Sequence, residues 1–469
     1  MRWRVILVAA VAAGIAANTI GGDFVWDDLV QIVANPWIRD PALLPEAFRT
    51  HVVGFDPSLR TSFYRPLVHV AYASVYAAFG LAPWAFHALN VLLHAATAAC
   101  LLLLLEGYAE SGAALVGALL FAAHPVHVEP VAWASGIYDL AMALLVLLAV
   151  LATKDQRPLV RWSAPACFAL ALLWKEPAVA LLPIAACLAA VRREFRWREW
   201  AALGLVTACY LALRVSALGG LTGGDRNPLR VNAAEAVLSA VAIFARYLGL
   251  LLLPVGLTPL HDDAVVRTVD ARFLAGLCAI ALVATAAWLA RRSEALVLGL
   301  ALLVFPLLPA LYVPALKDTL LSERYLYLPS AGAALLAAVA MARWRWLRIP
   351  AGVAVAVLAV ASVSGNRVWH DNVSLWTEVT GKSPERAIAW EYLGGAYAVE
   401  RRFGDAVRPL EIAVRLDPRR LDAQTNLAIA LGAVGRREEA RTHALDALAL
   451  CPPSCAKQQE VLRWLSAPP

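Results

Sequence analysis

The stretch RWRVILVAAVAAGIAANTIGGDFVWDDL, residues 2–29, decides how the rest of the chain is read. Residues 5–20 are apolar apart from Asn18 and Thr19, and Arg2 and Arg4 precede them. That pattern predicts a membrane helix with a cytoplasmic start, because flanking basic residues stay inside while the apolar run crosses. A convincing small-x-small cleavage site before Asp23 is lacking, so an uncleaved helix is expected. The helix delivers two adjacent carboxylates, Asp27 and Asp28, to the far face close to the bilayer surface. The pair has two readings: the chemical centre of a membrane enzyme, or acidic caps of the kind that often start helices.

Composition carries the membrane reading through the chain. Of 469 residues, 61% are hydrophobic and 16% charged, with mean hydropathy +0.65. A soluble domain is about 45–50% apolar and about 25% charged. The sequence turns much more polar after residue 365, which predicts a polytopic membrane domain over 1–365 and a soluble domain over 366–469. The net charge of +6 is no nucleic-acid signal, because much of the arginine lies in short loops such as 192–198, where it orients the chain in the membrane. Cys100, Cys167, Cys187, Cys209 and Cys278 fall in apolar stretches and read as core residues. Cys451 and Cys455 flank a Pro-Pro pair and are able to bond on an oxidising side.

Eleven spans are expected: 5–20, 84–105, 112–132, 135–153, 162–173, 177–191, 199–217, 271–290, 295–312, 325–343 and 348–364. Residues 162–173 and 177–191 are short for a bilayer, which fits if Trp174-Lys175-Glu176-Pro177 is a turn sunk below the outer surface. Residues 63–80 read as a helix along the membrane surface. The basic loops 154–161, 192–198, 291–292 and 343–348 all fall inside if 235–257 dips into the membrane and returns. The N-terminus is then cytoplasmic and the soluble domain extracytoplasmic. With this layout the polar clusters gather at the outer ends: Asp27-Asp28, Tyr64-Arg65, His124 to Glu129, Lys175-Glu176, His261 to Asp263 and Glu323-Arg324-Tyr325. Ionisable groups near membrane depth are costly and mark functional sites. Taken singly, each has a plain alternative, such as a Lys175–Glu176 or Glu323–Arg324 pair. His124-x-x-His127-x-Glu129 has metal-ligand residue types, but Pro125 and Pro130 interrupt it and the spacing is not that of a zinc protease, so no metal or other cofactor is assigned.

Residues 387–452 repeat with a period of 34. The first copy, 387–420, has Trp390, Leu393, Gly394, Tyr397, Ala406, Ala413 and Pro418; the second, 421–454, has Leu427, Ala428, Gly435, Ala440, Ala447 and Pro452. These are the packing positions of tetratricopeptide repeats, so an α-solenoid is expected. Two repeats bury little core alone, and flanking helices over 366–384 and 455–465 are needed to close it. Such solenoids offer a concave surface to a polypeptide, although a spacer is the alternative.

With these motifs quoted, the chain resembles a known family. Phe24-Val25-Trp26-Asp27-Asp28, Tyr64-Arg65-Pro66-Leu67, Phe86-His87-Ala88-Leu89-Asn90 with His94, His124-Pro125-Val126-His127-Val128-Glu129, Lys175-Glu176 and Glu323-Arg324-Tyr325-Leu326-Tyr327-Leu328-Pro329-Ser330 look like the motifs of transmembrane and tetratricopeptide-repeat-containing proteins. That family resembles the C-type glycosyltransferases, protein O-mannosyltransferases among them. The resemblance implies an all-α membrane bundle, a polyprenyl-phosphate sugar donor, inverting transfer and a hydroxyl acceptor on a protein. The family often carries many repeats where this chain has two clear ones. On this reading Asp27 or Asp28, in that order, is the general base. Arg324, Arg65 and Lys175, in that order, contact the donor phosphate. His124, His127, Glu129, Glu176, Glu323 and Tyr325 line the pocket. The competing class is a membrane-anchored scaffold for envelope assembly, which would not need the carboxylate pair.

Overall fold

The computed structural model describes residues 2–57, 59, 61–155, 157–220, 229–316, 319–451 and 455–466. Pro452 of the second repeat lies outside them. The described residues are helical, with turns and loops between, and contain no strand. They form two compact units, residues 1–257 with 263–369, and residues 258–262 with 370–469. The division falls a few residues beyond the composition change at 365, and it gives His261 and Asp262 to the second unit.

The first unit is a multi-pass membrane helix bundle. Its helices are α1 (Arg2–Ala16), α2 (Pro66–Phe79), α3 (Pro83–Leu105), α4 (Ser111–Ala123), α5 (Val128–Ala132), α6 (Ile137–Lys154), α7 (Pro158–Arg161), α8 (Ser163–Trp174), α9 (Leu181–Arg192), α10 (Trp197–Leu218), α11 (Ala233–Leu252), α12 (Ala271–Ala290), α13 (Glu294–Val304), α14 (Tyr327–Arg343) and α15 (Arg348–Asn366). The pattern along α1 sets its orientation. Val8, Ala12 and Ala16, four apart, are buried, while Trp3 and Ile6 are exposed, so one stripe packs on α3 and α4 and the rest is left for lipid. Between α13 and α14 the backbones nearly touch. A Cβ built on Gly332 would lie 2.5 Å from the Gly299 carbonyl oxygen, the close approach that small residues permit in membrane helices.

Among the described residues nine helices are long and apolar enough to cross a membrane, and ten if α4 and α5, bent by 48° at His124–Pro125, count as one span. The expected eleven differ from this in two places. Helices α8 and α9 have 12 residues each. That is about 18 Å at 1.5 Å per residue, short of a hydrocarbon core of about 30 Å. The two meet at the Lys175–Glu176 turn, where Lys175 is buried. The second difference is at 235–257, where α11 is an unbroken helix of 20 residues and long enough to cross. The re-entrant reading rested on keeping the basic loops inside; Arg246 is exposed on the surface of α11. The hydrogen bonds of α11 go one way, however. Ser239 Oγ accepts from Val266 N, ahead of α12; Tyr247 OH accepts from Ser322 N, ahead of α14; the Leu251 carbonyl meets His124 Nε2.

In the second unit α16 (Asn372–Lys382) precedes two helix pairs, α17 (Ala387–Val399) with α18 (Phe403–Leu416) and α19 (Leu421–Ala433) with α20 (Arg437–Ala449), and α21 (Ala456–Ser466) follows. The first helix of each pair starts 34 residues apart, at 387 and 421, and so does the second, at 403 and 437. Gly394 lets α18 approach, because a Cβ there would overlap Leu410. Trp376 on α16 stacks on Tyr392 at 4.4 Å and closes one end of the core. Val461 and Leu465 of α21 close the other. Cys451 and Cys455 form a disulfide.

Candidate active site

The loop after α1 folds into a tight turn. Asp28 N donates to Val25 O at 3.0 Å, and Trp26 stands inside the turn with φ 53°. That left-handed conformation costs an L-residue roughly 1–2 kcal/mol and is more often met by Gly or Asn. The turn sends its two carboxylates in different directions. Asp28 is fully buried: Oδ2 accepts from Val25 N at 3.0 Å, and Oδ1 accepts from Ser135 N at 2.8 Å and from Ser135 Oγ. Asp27 is half-buried, with Gln31 Nε2 at 3.5 Å from Oδ2. One carboxylate therefore fixes the turn to the start of α6, and its neighbour keeps a face toward the site.

Burial pushes the Asp28 carboxyl up to about 7 from its ordinary 3.8, against the hydrogen bonds from Ser135 and Val25 that hold it down. The folded state therefore keeps a proton that the unfolded chain gives up near 3.8. Its stabilisation is complete below that value and is lost as the pH rises through about 7. The thermal midpoint of the purified protein should fall between about pH 4 and about pH 7 in wild type, and Asp28→Asn should flatten that slope. A slope that Asp28→Asn leaves unchanged would assign it to other groups.

Beyond the carboxylates lies a cluster of buried ion pairs, and its pairing is not that of sequence neighbours. Lys175 Nζ bonds both oxygens of Asp139, at 2.6 and 2.7 Å, with the two side chains 1% and 2% exposed. Glu176 is the hub of a second group. Its Oε2 accepts from Arg65 Nε and Nη2 at 3.1 and 2.8 Å, and its Oε1 from Arg214 Nη1 at 3.1 Å and Tyr64 N at 3.3 Å. Arg324 bonds Glu129 through its guanidinium and, at 2.9 Å, through its backbone N–H. Tyr325 is the shared wall, with Lys175 Nζ 4.7 Å and the Arg324 guanidinium carbon 5.7 Å from its ring centre. Burial pushes Lys175 down to about 8, with Arg65 and Arg324 adding to the fall and Asp139 opposing it. Burial would raise Glu176, but Arg65 and Arg214 outweigh it and hold it below the usual carboxylate range. The two regions meet at Tyr138, which feels the charges of Arg65, Asp27, Asp28 and Arg324 together and whose hydroxyl donates to Gln31.

The residues assigned from sequence differ in their surroundings. Lys175 is the most enclosed of the three assigned cations, and both its hydrogen bonds go to Asp139. Arg324 is the most open of the three assigned cations and Arg65 lies deeper. The His124–Glu129 segment is divided: Glu129 joins the charged cluster, whereas His127 Nε2 pairs with Ser330 Oγ at 2.8 Å among Phe121 and Tyr327, and His124 reaches the Leu251 carbonyl at 3.0 Å. The two histidines thus contact neighbouring helices, and Glu129 contacts Arg324. Glu323 is buried next to Arg324 and Tyr325. Asp139, Arg214, Ser135 and Tyr138 were missed. A lone Asp in the first turn of an apolar helix was the available signal for Asp139. Arg214 had none, since it looked like one more end-of-span arginine. In a cleft at the other end of α6, lined by Thr153, Arg192, Arg196, Glu199 and Trp200, Arg192 is paired with Glu294 and Arg196 with Glu194.

The chain is 33% identical over 202 residues to protein O-mannosyl-transferase TMTC2 of Homo sapiens, a match that covers 39% of this chain and 23% of the relative. Protein O-mannosyl-transferase TMTC1 of Mus musculus is 37% identical over 185 residues, 36% of this chain and 19% of the relative. Protein O-mannosyl-transferase TMTC4 of Homo sapiens is 35% identical over 166 residues, 32% and 22% of the two. The matches thus span about a quarter or less of the length of these relatives. They are of the family whose motifs the sequence resembles. No family model matches the chain, and no solved structure matches it.

Proposed function

We propose that the chain is a membrane glycosyltransferase that moves a hexose, mannose by the names of its relatives, from a polyprenyl phosphate to a hydroxyl on a protein, with inversion. One observation carries the reading. Arg65 and Arg214 converge on Glu176 and Arg324 pairs with Glu129, a preorganised group of guanidiniums whose charges reach Tyr138 together with that of the half-buried Asp27. A phosphate leaving group needs such a preorganised positive site as its charge develops, and an attacking hydroxyl needs a base. In the proposed step the acceptor oxygen bonds to the anomeric carbon from one face while its proton passes to Asp27. The bond from that carbon to the phosphate oxygen breaks on the other face, and the phosphate leaves with the electron pair beside Arg324 and Arg65. Inversion follows from this single displacement. The prenyl tail lies between apolar helices, and the repeats take the polypeptide acceptor or a partner. The test is transfer of labelled mannose from polyprenyl-phosphate mannose to a hydroxyl peptide by the full chain in nanodiscs. Absence of transfer across several such peptides, with the lipid bound, would favour the scaffold.

The proposed orientation has the site and the repeats extracytoplasmic. The basic loops 154–161 and 192–198 support it, because arginine-rich loops stay inside and leave the polar clusters on the outer face. An α11 that lies along that face keeps the basic loops 291–292 and 343–348 inside. A thiol introduced at Gly404 should be labelled in intact cells by a membrane-impermeant reagent, and one at Arg157 only after permeabilisation. The reverse pattern would mean that α11 crosses.

A further inference from the structure

We infer that Trp26 is the stacking platform for the transferred sugar, a positioning residue that holds one face of the pyranose against its indole beside Asp27. The inference rests on the glycosyl-donor reading above. The geometry comes from three indoles. Trp26 and Trp133 stack at 5.2 Å with an interplanar angle of 25°, and Trp369 closes the triangle at 6.4 and 6.2 Å. Trp133 and Trp369 are buried, and Trp26 alone keeps exposed surface. The two buried rings thus fix the third from behind. A large apolar ring held rigidly in this way offers a flat, preorganised face with little rotamer freedom left to lose on binding.

The backbone adds an independent observation. Trp26 occupies a left-handed position inside the Val25–Asp28 turn, where Gly or Asn would be favoured. Strain of this kind persists only where the surroundings enforce it, and it concentrates at ligand-holding sites. The neighbourhood fits a sugar better than a prenyl tail. Asp27 follows Trp26 directly. The Arg324 guanidinium carbon lies 5.6 Å from the Trp133 ring centre, so the phosphate side of the donor is set next to the stack. A pyranose is suited to this place because its axial C–H bonds form an apolar face while its hydroxyls point outward.

The experiment compares two probes, polyprenyl-phosphate mannose and polyprenyl phosphate without sugar, for binding to the full chain in nanodiscs. Trp26→Ala should weaken the mannosyl lipid about tenfold, a step of about 1.4 kcal/mol, and leave the bare phosphate within about twofold. Trp26→Phe should keep most of the affinity, because it keeps an aromatic face. If Trp26→Ala does not fold, Trp26→Leu takes its place, with an apolar side chain of ordinary size and no ring. Equal loss on both lipids would make Trp26 a support of the loop or a contact of the tail, and would overturn the inference, as would no loss on either. Those outcomes leave the donor reading intact. A wild-type chain that binds neither lipid would overturn the donor reading and this inference with it.

Discussion

Asp27→Asn is expected to lower transfer about 10²–10⁴-fold, the usual contribution of a positioned general base, while donor binding stays near wild type. The substitution keeps size and the Gln31 contact but removes the proton acceptor. Asp28→Asn has a different expected outcome. Its carboxyl is enclosed by Val25 and Ser135, so the change acts on stability and its pH dependence, with a smaller effect on transfer through the position of the turn. The sequence treated the two acids as near equivalents, and burial separates them. Both variants are to be assayed for binding of polyprenyl-phosphate mannose and for transfer. Full transfer by Asp27→Asn, or an equal fall in both variants, would end the assignment of the base to Asp27.

Lys175→Met is expected to destabilise the membrane unit by about 3–5 kcal/mol, the cost of stranding one partner of a buried pair. Asp139→Leu alone should cost a similar amount for the same reason. The double variant Lys175→Met/Asp139→Leu should recover most of the loss, because two apolar side chains replace the pair without leaving a charge. The thermal midpoint in detergent gives the ranking, with each single variant well below both wild type and the double. The double variant also tests whether Lys175 contacts the phosphate. It should retain transfer within about tenfold, whereas Arg324→Ala should weaken donor binding and turnover together. A stable double variant with no donor affinity would return Lys175 to the direct contacts.

Much of the fold was legible because membrane helices announce themselves by length and apolarity, and a period of 34 announces a helical repeat. The positions of Asp27, Arg65, Glu176 and Arg324 were legible for a related reason: charged groups at helix ends in an apolar chain have few plain explanations. What the sequence did not carry was the pairing. Lys175 and Glu176 are adjacent, yet their backbones turn between α8 and α9, so that one side chain meets Asp139 and the other Arg65 and Arg214. Adjacent residues in such a turn do not face each other, and their partners come from helices far along the chain. The surroundings of the histidines were not legible for another reason. Imidazole packs among aromatic rings and hydroxyls as readily as it serves chemistry, and spacing alone does not separate the two uses.

The Glu129–Arg324 pair sets a condition on how the protein is made. The two residues are separated by 195 positions. At a synthesis rate of about 5–20 residues per second, Glu129 is made about 10–40 s before its partner exists. During that time a carboxyl destined for burial sits in a half-built bundle, where it must stay protonated, hydrated or held by the insertion machinery. A nascent chain released early carries an acid without its base, and so has neither the site nor the means to bury it. The same pair that completes the charged cluster therefore serves as a late checkpoint in biogenesis, and Arg324→Ala should leave newly made chains open to quality-control proteases.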